Sequence, residues 1–172
     1  MLIDTTTNTL IQLIQNPILT LFSKTLSLIF DPLTLIAVSL IIAIYLYFKS
    51  SKKQSIIFIS AVFLTGILIK ISKEVFHRTR PLNQIIQETG FSFPSGHSTM
   101  AVVFFGLISY LFSKNKSKKT KITISLLTII IIILIGFTRV YLNVHWLTDV
   151  IGGFFIGGII LLLTIFILEK SS

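Results

Sequence analysis

The chain contains no cysteine, which removes disulfides, thiolate nucleophiles and cysteine-ligated metals together. Charge is also scarce: 12% of its 172 residues are Asp, Glu, Lys or Arg, where a soluble domain carries about a quarter. Acids are scarcest, 6 against 15 Lys and Arg, for a net charge of +9. With 53% hydrophobic residues and a mean hydropathy of +0.92, too little polar surface remains to keep a globule dissolved. A soluble domain and a disordered chain are both excluded. The sequence reads as a single membrane-embedded domain, 1–172. Met1–Thr9 has no basic residue ahead of an apolar run, so no cleavable signal peptide is expected.

What is present in abundance is apolar runs. Five stand out, Leu33–Phe48, Ile56–Ile71, Met100–Phe112, Ile122–Phe137 and Val150–Leu168. The third is short, but a helix starting at Ser95 lengthens it; each run can then cross a hydrocarbon core of roughly 30 Å. The expected fold class is all-α: a polytopic bundle of about five spans in the core 33–168, plus an N-terminal amphipathic segment over 9–30. In that segment apolar residues recur near helical period, and Asn16-Pro17 breaks or kinks it. An amphipathic helix or helix pair in the outer interface, or packed on the bundle, fits it better than a sixth span.

The linkers are of two kinds. Lys49–Lys53 and Lys114–Lys121 hold eight of the fifteen basic residues, and Lys170 follows the last run. By the positive-inside rule these segments are cytoplasmic; nucleic-acid binding is not expected of them. The other linkers, Ser72–Pro94 and Thr138–Asp149, then lie on the outer side of the cell membrane. All the chemically interesting residues fall there.

A chain this apolar does not keep ionisable groups at helix ends without cause. Lys73, Arg80 and Arg139 are cations that topology alone would not put on the outer side. Gathered there, they suit an anion, and phosphate is commonly recognised by Arg forks with a Lys point charge. In Pro94-Ser-Gly-His97, Ser95 suits an N-cap and Gly96 allows close backbone approach, so the helix end would face the anion. His145 and Asp149 are four apart; on a helix starting near His145 they share a face, and the carboxylate can hold one ring nitrogen while the other stays nucleophilic.

These three clusters together resemble the signature of the type 2 phosphatidic acid phosphatase superfamily. Lys73 with Arg80-Pro81, Pro94-Ser-Gly-His97, and Arg139, His145 and Asp149 match its spacing. Thr138 stands where the family has Ser, and Asn143 where it often has Gly. The resemblance implies that His145 attacks phosphorus to form a phosphohistidine, oriented by Asp149. His97 would protonate the leaving oxygen and then activate water. Lys73, Arg80, Arg139, Ser95 and Gly96 would bind the phosphoryl oxygens. No cofactor and no metal is implied.

The implied activity is a metal-independent lipid phosphatase with an outward-facing site. A polyprenyl diphosphate such as undecaprenyl diphosphate is the preferred substrate, with phosphatidylglycerophosphate or phosphatidic acid as the alternative. Two other classes are an inactive lipid-binding membrane protein and a vanadate-dependent oxidase. His77 and Arg78 could touch a second phosphate, but read better as ordinary loop residues; Glu74 balances local charge. Gly152-Gly153 and Gly157-Gly158 suit close helix packing or, as the sharper reading, a homodimer. Tyr141 and Trp146 read as interfacial aromatics.

Overall fold

A computed structural model describes residues 2–170. They form seven helices: α1 (Leu2–Leu13), α2 (Pro17–Ile29), α3 (Pro32–Lys49), α4 (Lys52–Phe76), α5 (Gly96–Ser113), α6 (Lys118–Tyr141) and α7 (Leu147–Lys170). Helices α3 to α7 are five segments long and apolar enough to cross a membrane. The all-α, five-span reading therefore stands.

Most helix starts follow from local chemistry. Asn16 accepts from Leu19 N, Asp31 from Leu33 N, Ser51 from Gln54 N and Ser117 from Thr120 N. Each replaces a hydrogen bond that the first turn cannot make for itself. Pro17 and Pro32 occupy the first helical position, where a missing N–H costs nothing.

Helix α5 is the axis of the bundle, packed by α3, α4, α6 and α7. Met100, Val103 and Leu107 from α5 interlock with Phe58 and Val62 of α4 in the buried core. On its other side α7 lies almost backbone to backbone: a Cβ added to Gly153 or Gly157 would sit 2.9 Å from Ser95 O or 2.8 Å from Thr99 O. Gly152 is covered by the Phe93 ring. Gly153 and Gly157 are thus consumed inside the chain, as close packing requires, and present no surface to a second copy.

The N-terminal segment departs from expectation in its extent. Helix begins at Leu2 rather than Thr9, and the segment is a pair, α1 and α2, broken at Asn16-Pro17. α2 turns its serines inward, whereas α1 buries Asp4 and Ile11 and leaves Thr5, Thr6 and Thr9 exposed. Asp4 of α1 and Ser23 and Ser27 of α2 are buried, while Leu2, Leu13, Ile18, Leu21 and Leu28 are exposed. Tyr141 is also not interfacial. It is fully buried, its hydroxyl donating to Asn16 O at 3.2 Å and accepting from Asn16 N at 3.0 Å. The turn between α1 and α2 supplies the polar partners that a buried tyrosine hydroxyl requires.

Because α4 to α7 alternate in direction, the C-terminal ends of α4 and α6 meet the N-terminal ends of α5 and α7. The linkers 77–95 and 142–146 lie at that end, and the lysine-rich linkers and Lys170 at the other.

Candidate active site

Each signature residue is delivered by the end of a different element. Lys73 comes from the last turn of α4, His97 from the first turn of α5, Arg139 from the last turn of α6 and Asp149 from the first turn of α7. Arg80 and His145 lie on the intervening linkers. All but Lys73 are buried, and Lys73 is half-buried.

Two left-handed residues aim these linkers. His77 (φ 46°) ends α4 and Asn143 (φ 54°) ends α6. After Asn143, both Val144 N and His145 N return to Arg139 O, at 3.2 and 3.3 Å. Asn is one of the few side chains that tolerates this conformation, which explains why it can stand at a position the family often gives to Gly.

His145 Nε2 is 3.3 Å from Arg80 Nη1. A guanidinium can only donate, so Nε2 is the acceptor and the ring proton belongs on Nδ1. That nitrogen faces Asp149 Oδ2 at 3.5 Å, an ion-pair separation too long for a formed hydrogen bond. The pair does not share a helix face, because α7 begins only at Leu147. Instead Asp149 Oδ2 accepts from Trp146 N at 2.9 Å, and this cap folds the preceding turn back towards the carboxylate. Burial lowers the His145 pKa, Asp149 opposes that, and Arg80, Arg139 and Lys73 push it down again, to about 4. The imidazole is neutral at ordinary pH, with its lone pair on Nε2.

His97 has the complementary arrangement. Its Nε2 is 3.0 Å from the Ser27 carbonyl oxygen, which can only accept, so Nε2 carries the proton. Asp31 Oδ2 is 3.8 Å away. Ser95 caps α5 as expected, accepting from Ser98 N at 3.4 Å and Ser98 Oγ at 2.9 Å. The Thr138 hydroxyl is turned back to Ile135 O at 2.7 Å, away from any role towards an anion.

The cations are held by backbone and by acids. Arg80 donates to Val144 O at 2.7 Å and to Gly90 O at 3.1 Å. Arg139, fully buried, donates to Glu88 Oε1 at 2.5 Å and to Ser27 Oγ. Glu88 Oε2 is also 3.6 Å from Arg80 Nη2. Burial disfavours the Glu88 charge, but Arg139 by charge and hydrogen bond, then Arg80 and His145, hold its carboxyl below the usual range.

Four residues of the site carry roles that their sequence context does not announce. Glu88 sits on the cations, and its signal was an acid inside a linker rich in bases. Ser27 touches both His97 and Arg139; its signal was the i, i+4 spacing with Ser23, which reads as an interruption of an apolar run unless the inward face is known. Arg78, read as an ordinary loop residue, instead bridges Asp149 Oδ1 at 2.5 Å and Asp4 Oδ2 at 2.7 Å. Asp4 carried no signal. His77 does lie exposed at the rim, against Phe91.

Residues 54–172 match the sequence model of the PAP2 superfamily. Phosphatidylglycerophosphatase B of Bacillus subtilis (strain 168) is 39% identical over 94 residues, 53% of this chain and 46% of its own. An undecaprenyl-diphosphatase of Sulfolobus acidocaldarius is 31% identical over 130 residues, 72% of this chain and 59% of its own. The chain thus spans about half the length of the curated relatives it matches. The crystal structure of a transmembrane PAP2-type phosphatidylglycerolphosphate phosphatase from Bacillus subtilis superposes with a TM-score of 0.91 at 29% identity, covering 98% of this chain and 86% of that one.

Proposed function

The chain belongs to the PAP2 superfamily, and from that premise we propose that it is an integral membrane lipid phosphatase working through a phosphohistidine on the outer face of the cell membrane. The observation that carries this reading is the opposed hydrogen-bonding roles of the two site histidines: His145 Nε2 faces a donor, Arg80, and so presents a lone pair, while His97 Nε2 faces an acceptor, the Ser27 carbonyl, and so presents a proton. His145 Nε2 attacks phosphorus, the bond from phosphorus to the lipid oxygen breaks, and His97, protonated on both nitrogens when substrate is bound, gives its Nε2 proton to that oxygen and is left neutral. Water, deprotonated by His97, then displaces His145 and releases phosphate. Lys73, Arg80 and Arg139 stabilise the equatorial oxygens, the electrostatic contribution that dominates phosphoryl transfer.

A lipid rather than a soluble phosphate is favoured by an apolar groove of about 350 Å³ between α3 and α4, lined by Pro32, Ile36, Phe63, Gly66 and Ile69. Pro32 and Ile69 are also the neighbours that a Cβ on Gly96 would meet, so the groove ends beside His97. The headgroup enters sideways while its tail stays in the bilayer. A polyprenyl diphosphate is the preferred substrate, supported by the undecaprenyl-diphosphatase relative, which is 31% identical over 72% of this chain. Phosphatidylglycerophosphate is the second reading, favoured by the Bacillus subtilis relatives. Arg78 adds no argument for a second phosphate, since carboxylates occupy it.

The test is phosphate release by the purified protein in chelator across a panel of both lipids, with vanadate as inhibitor. Activity that disappears in chelator and returns with magnesium would sink the metal-independent mechanism. No release from any lipid would favour an inactive lipid-binding protein.

A further inference from the structure

We propose that Arg78, braced by Asp4 of α1, is a positioning residue for this site: it holds the Asp149 carboxylate that, on the Nδ1 side and together with Arg80 on the Nε2 side, favours one tautomer of His145. This rests on the reading of His145 as the nucleophile. Arg78 lies outside the spacing of the three motifs, and nothing in their chemistry calls for it.

The geometry is a relay of ion pairs. Arg78 Nη1 donates to Asp149 Oδ1 at 2.5 Å and to Thr148 Oγ1 at 2.7 Å, and Nη2 donates to Asp4 Oδ2 at 2.7 Å. Asp149 Oδ2 is then left to Trp146 N at 2.9 Å and to the His145 ring at 3.5 Å. One oxygen is anchored by Arg78 while the other points at the nucleophile. A carboxylate anchored at only one oxygen is free to turn about its last bond, and the negative charge it keeps 3.5 Å from Nδ1 moves with it.

Both acids are almost fully buried, with side chains 4% and 0% exposed for Asp4 and Asp149, while Arg78 retains 29%. Two buried carboxylates this close need a shared cation, because an unpaired buried charge is costly. Asp4 is fixed in turn by Thr148, whose N and Oγ1 both donate to its Oδ1 at 3.0 Å. The backbone of Arg78 is clamped as well: its carbonyl accepts from Ser92 N at 2.7 Å, and the next carbonyl, of Thr79, accepts from Trp146 Nε1 at 2.8 Å. An exposed loop arginine would have none of these restraints. The N-terminal helix is thereby wired to the catalytic pair.

The experiment uses the full chain in detergent and the variants Arg78→Ala, Asp4→Asn and Asp149→Asn. The chain has 3 histidines, so ring-nitrogen NMR of histidine-labelled protein resolves His145 once a His145→Ala spectrum identifies it. The wild type should show one neutral tautomer with the proton on Nδ1. Arg78→Ala should give a tautomer mixture, and the isosteric Asp4→Asn a smaller change in the same direction. On the lipid substrate Arg78→Ala should lower kcat about 10- to 100-fold, the usual range for groups that orient a functional ligand, with KM changed less than about two-fold. A cleft of about 250 Å³ lined by Asp4, Thr5, Arg78, Thr79 and Trp146 leads to the guanidinium. Millimolar guanidinium should therefore restore much of the loss in Arg78→Ala. In an Asp149→Asn background the Arg78 change should cost almost nothing further, since coupled residues are non-additive.

A His145 tautomer that ignores both Arg78→Ala and Asp4→Asn overturns the inference, as does a full additional loss in the Asp149→Asn background. Should Arg78→Ala not fold, Asp4→Asn decides by the same spectrum. A wild type that hydrolyses no lipid, yet whose His145 tautomer follows Arg78, leaves this inference standing and removes the phosphatase reading.

Discussion

His145 keeps its lone pair on Nε2 because Arg80, 3.3 Å away, can only donate. Its pKa of about 4 has a definite consequence for pH. A histidine lowered in the folded protein is neutral above that value and protonated below it, so the competent form is lost only as pH falls towards about 4. Acid loss of kcat/KM nearer pH 6 would need another group. Arg80→Gln removes a neighbouring cation, so the His145 pKa, followed by its ring NMR shift, should rise by about one unit; no rise would mean that Arg80 does not depress it. Glu88 makes a second prediction. Its carboxylate sits on Arg139 at 2.5 Å, on one of the cations expected to hold a phosphoryl oxygen. Glu88→Gln removes a competing anion, and the inhibition constant for vanadate should fall several-fold. A higher constant would mean that Glu88 helps to assemble the cradle. The three motifs were legible because they repeat a fixed spacing of rare polar residues in an apolar chain. Glu88 was not, because its role depends on a loop conformation that places it on a residue 51 positions away.

Among the elements, α2 is the one whose position conflicts with the proposed turnover. Its Ser27 carbonyl takes the proton of His97 Nε2 at 3.0 Å, and its Ser27 hydroxyl lies on Arg139. A leaving oxygen and a phosphoryl oxygen need those same two donors. The helix is bounded by Asn16-Pro17 and Asp31-Pro32, and its apolar face, Ile18, Leu21 and Leu28, is exposed and suited to the bilayer. Binding should therefore displace α2 as a unit. Spin labels on cysteines at Phe22 and Asn115 should change their separation by several ångström when vanadate and a lipid are added, a movement absent in Arg139→Gln. An unchanged distance would require Ser27 to yield by side-chain rotation alone, which cannot free a carbonyl. The start of α5 was readable from Ser95 and the start of α2 from Asn16-Pro17, since caps are local. The inward serine face of α2 was not readable. A helix with serines on one side and leucines on the other gives no sign of which side meets protein, and here the bilayer takes the leucines. The same ambiguity hid Tyr141, whose partners at Asn16 are 125 residues away.

For the molecule as a whole, the lysine charge and the candidate site are segregated to opposite ends. Eight of fifteen basic residues lie in Lys49–Lys53 and Lys114–Lys121, joining α3 to α4 and α5 to α6, while the site lies where α4 meets α5 and α6 meets α7. Its cations are largely compensated, Arg139 and Arg80 by Glu88 and Arg78 by Asp4 and Asp149. The lysine linkers have no comparable acids, so they dominate any charge-based choice of orientation. Retaining them in the cytoplasm puts the groove beside α3 and α4 within reach of outer-leaflet lipids. The chain has no cysteine to confuse a labelling experiment. Single cysteines at Asn83, in the linker after Arg80, and at Asn115, in the lysine linker, occupy exposed positions. On intact cells an impermeant thiol reagent should label the Asn83→Cys protein and leave Asn115→Cys unlabelled until the membrane is opened. Replacing Lys114, Lys116, Lys118, Lys119 and Lys121 by Gln should then give a mixed population, because the bias is a sum of small terms near the surface, each about 1 kcal/mol. Labelling of Asn115→Cys alone on intact cells would invert the molecule, and the lipid hydrolysed would have to be sought in the cytoplasmic leaflet.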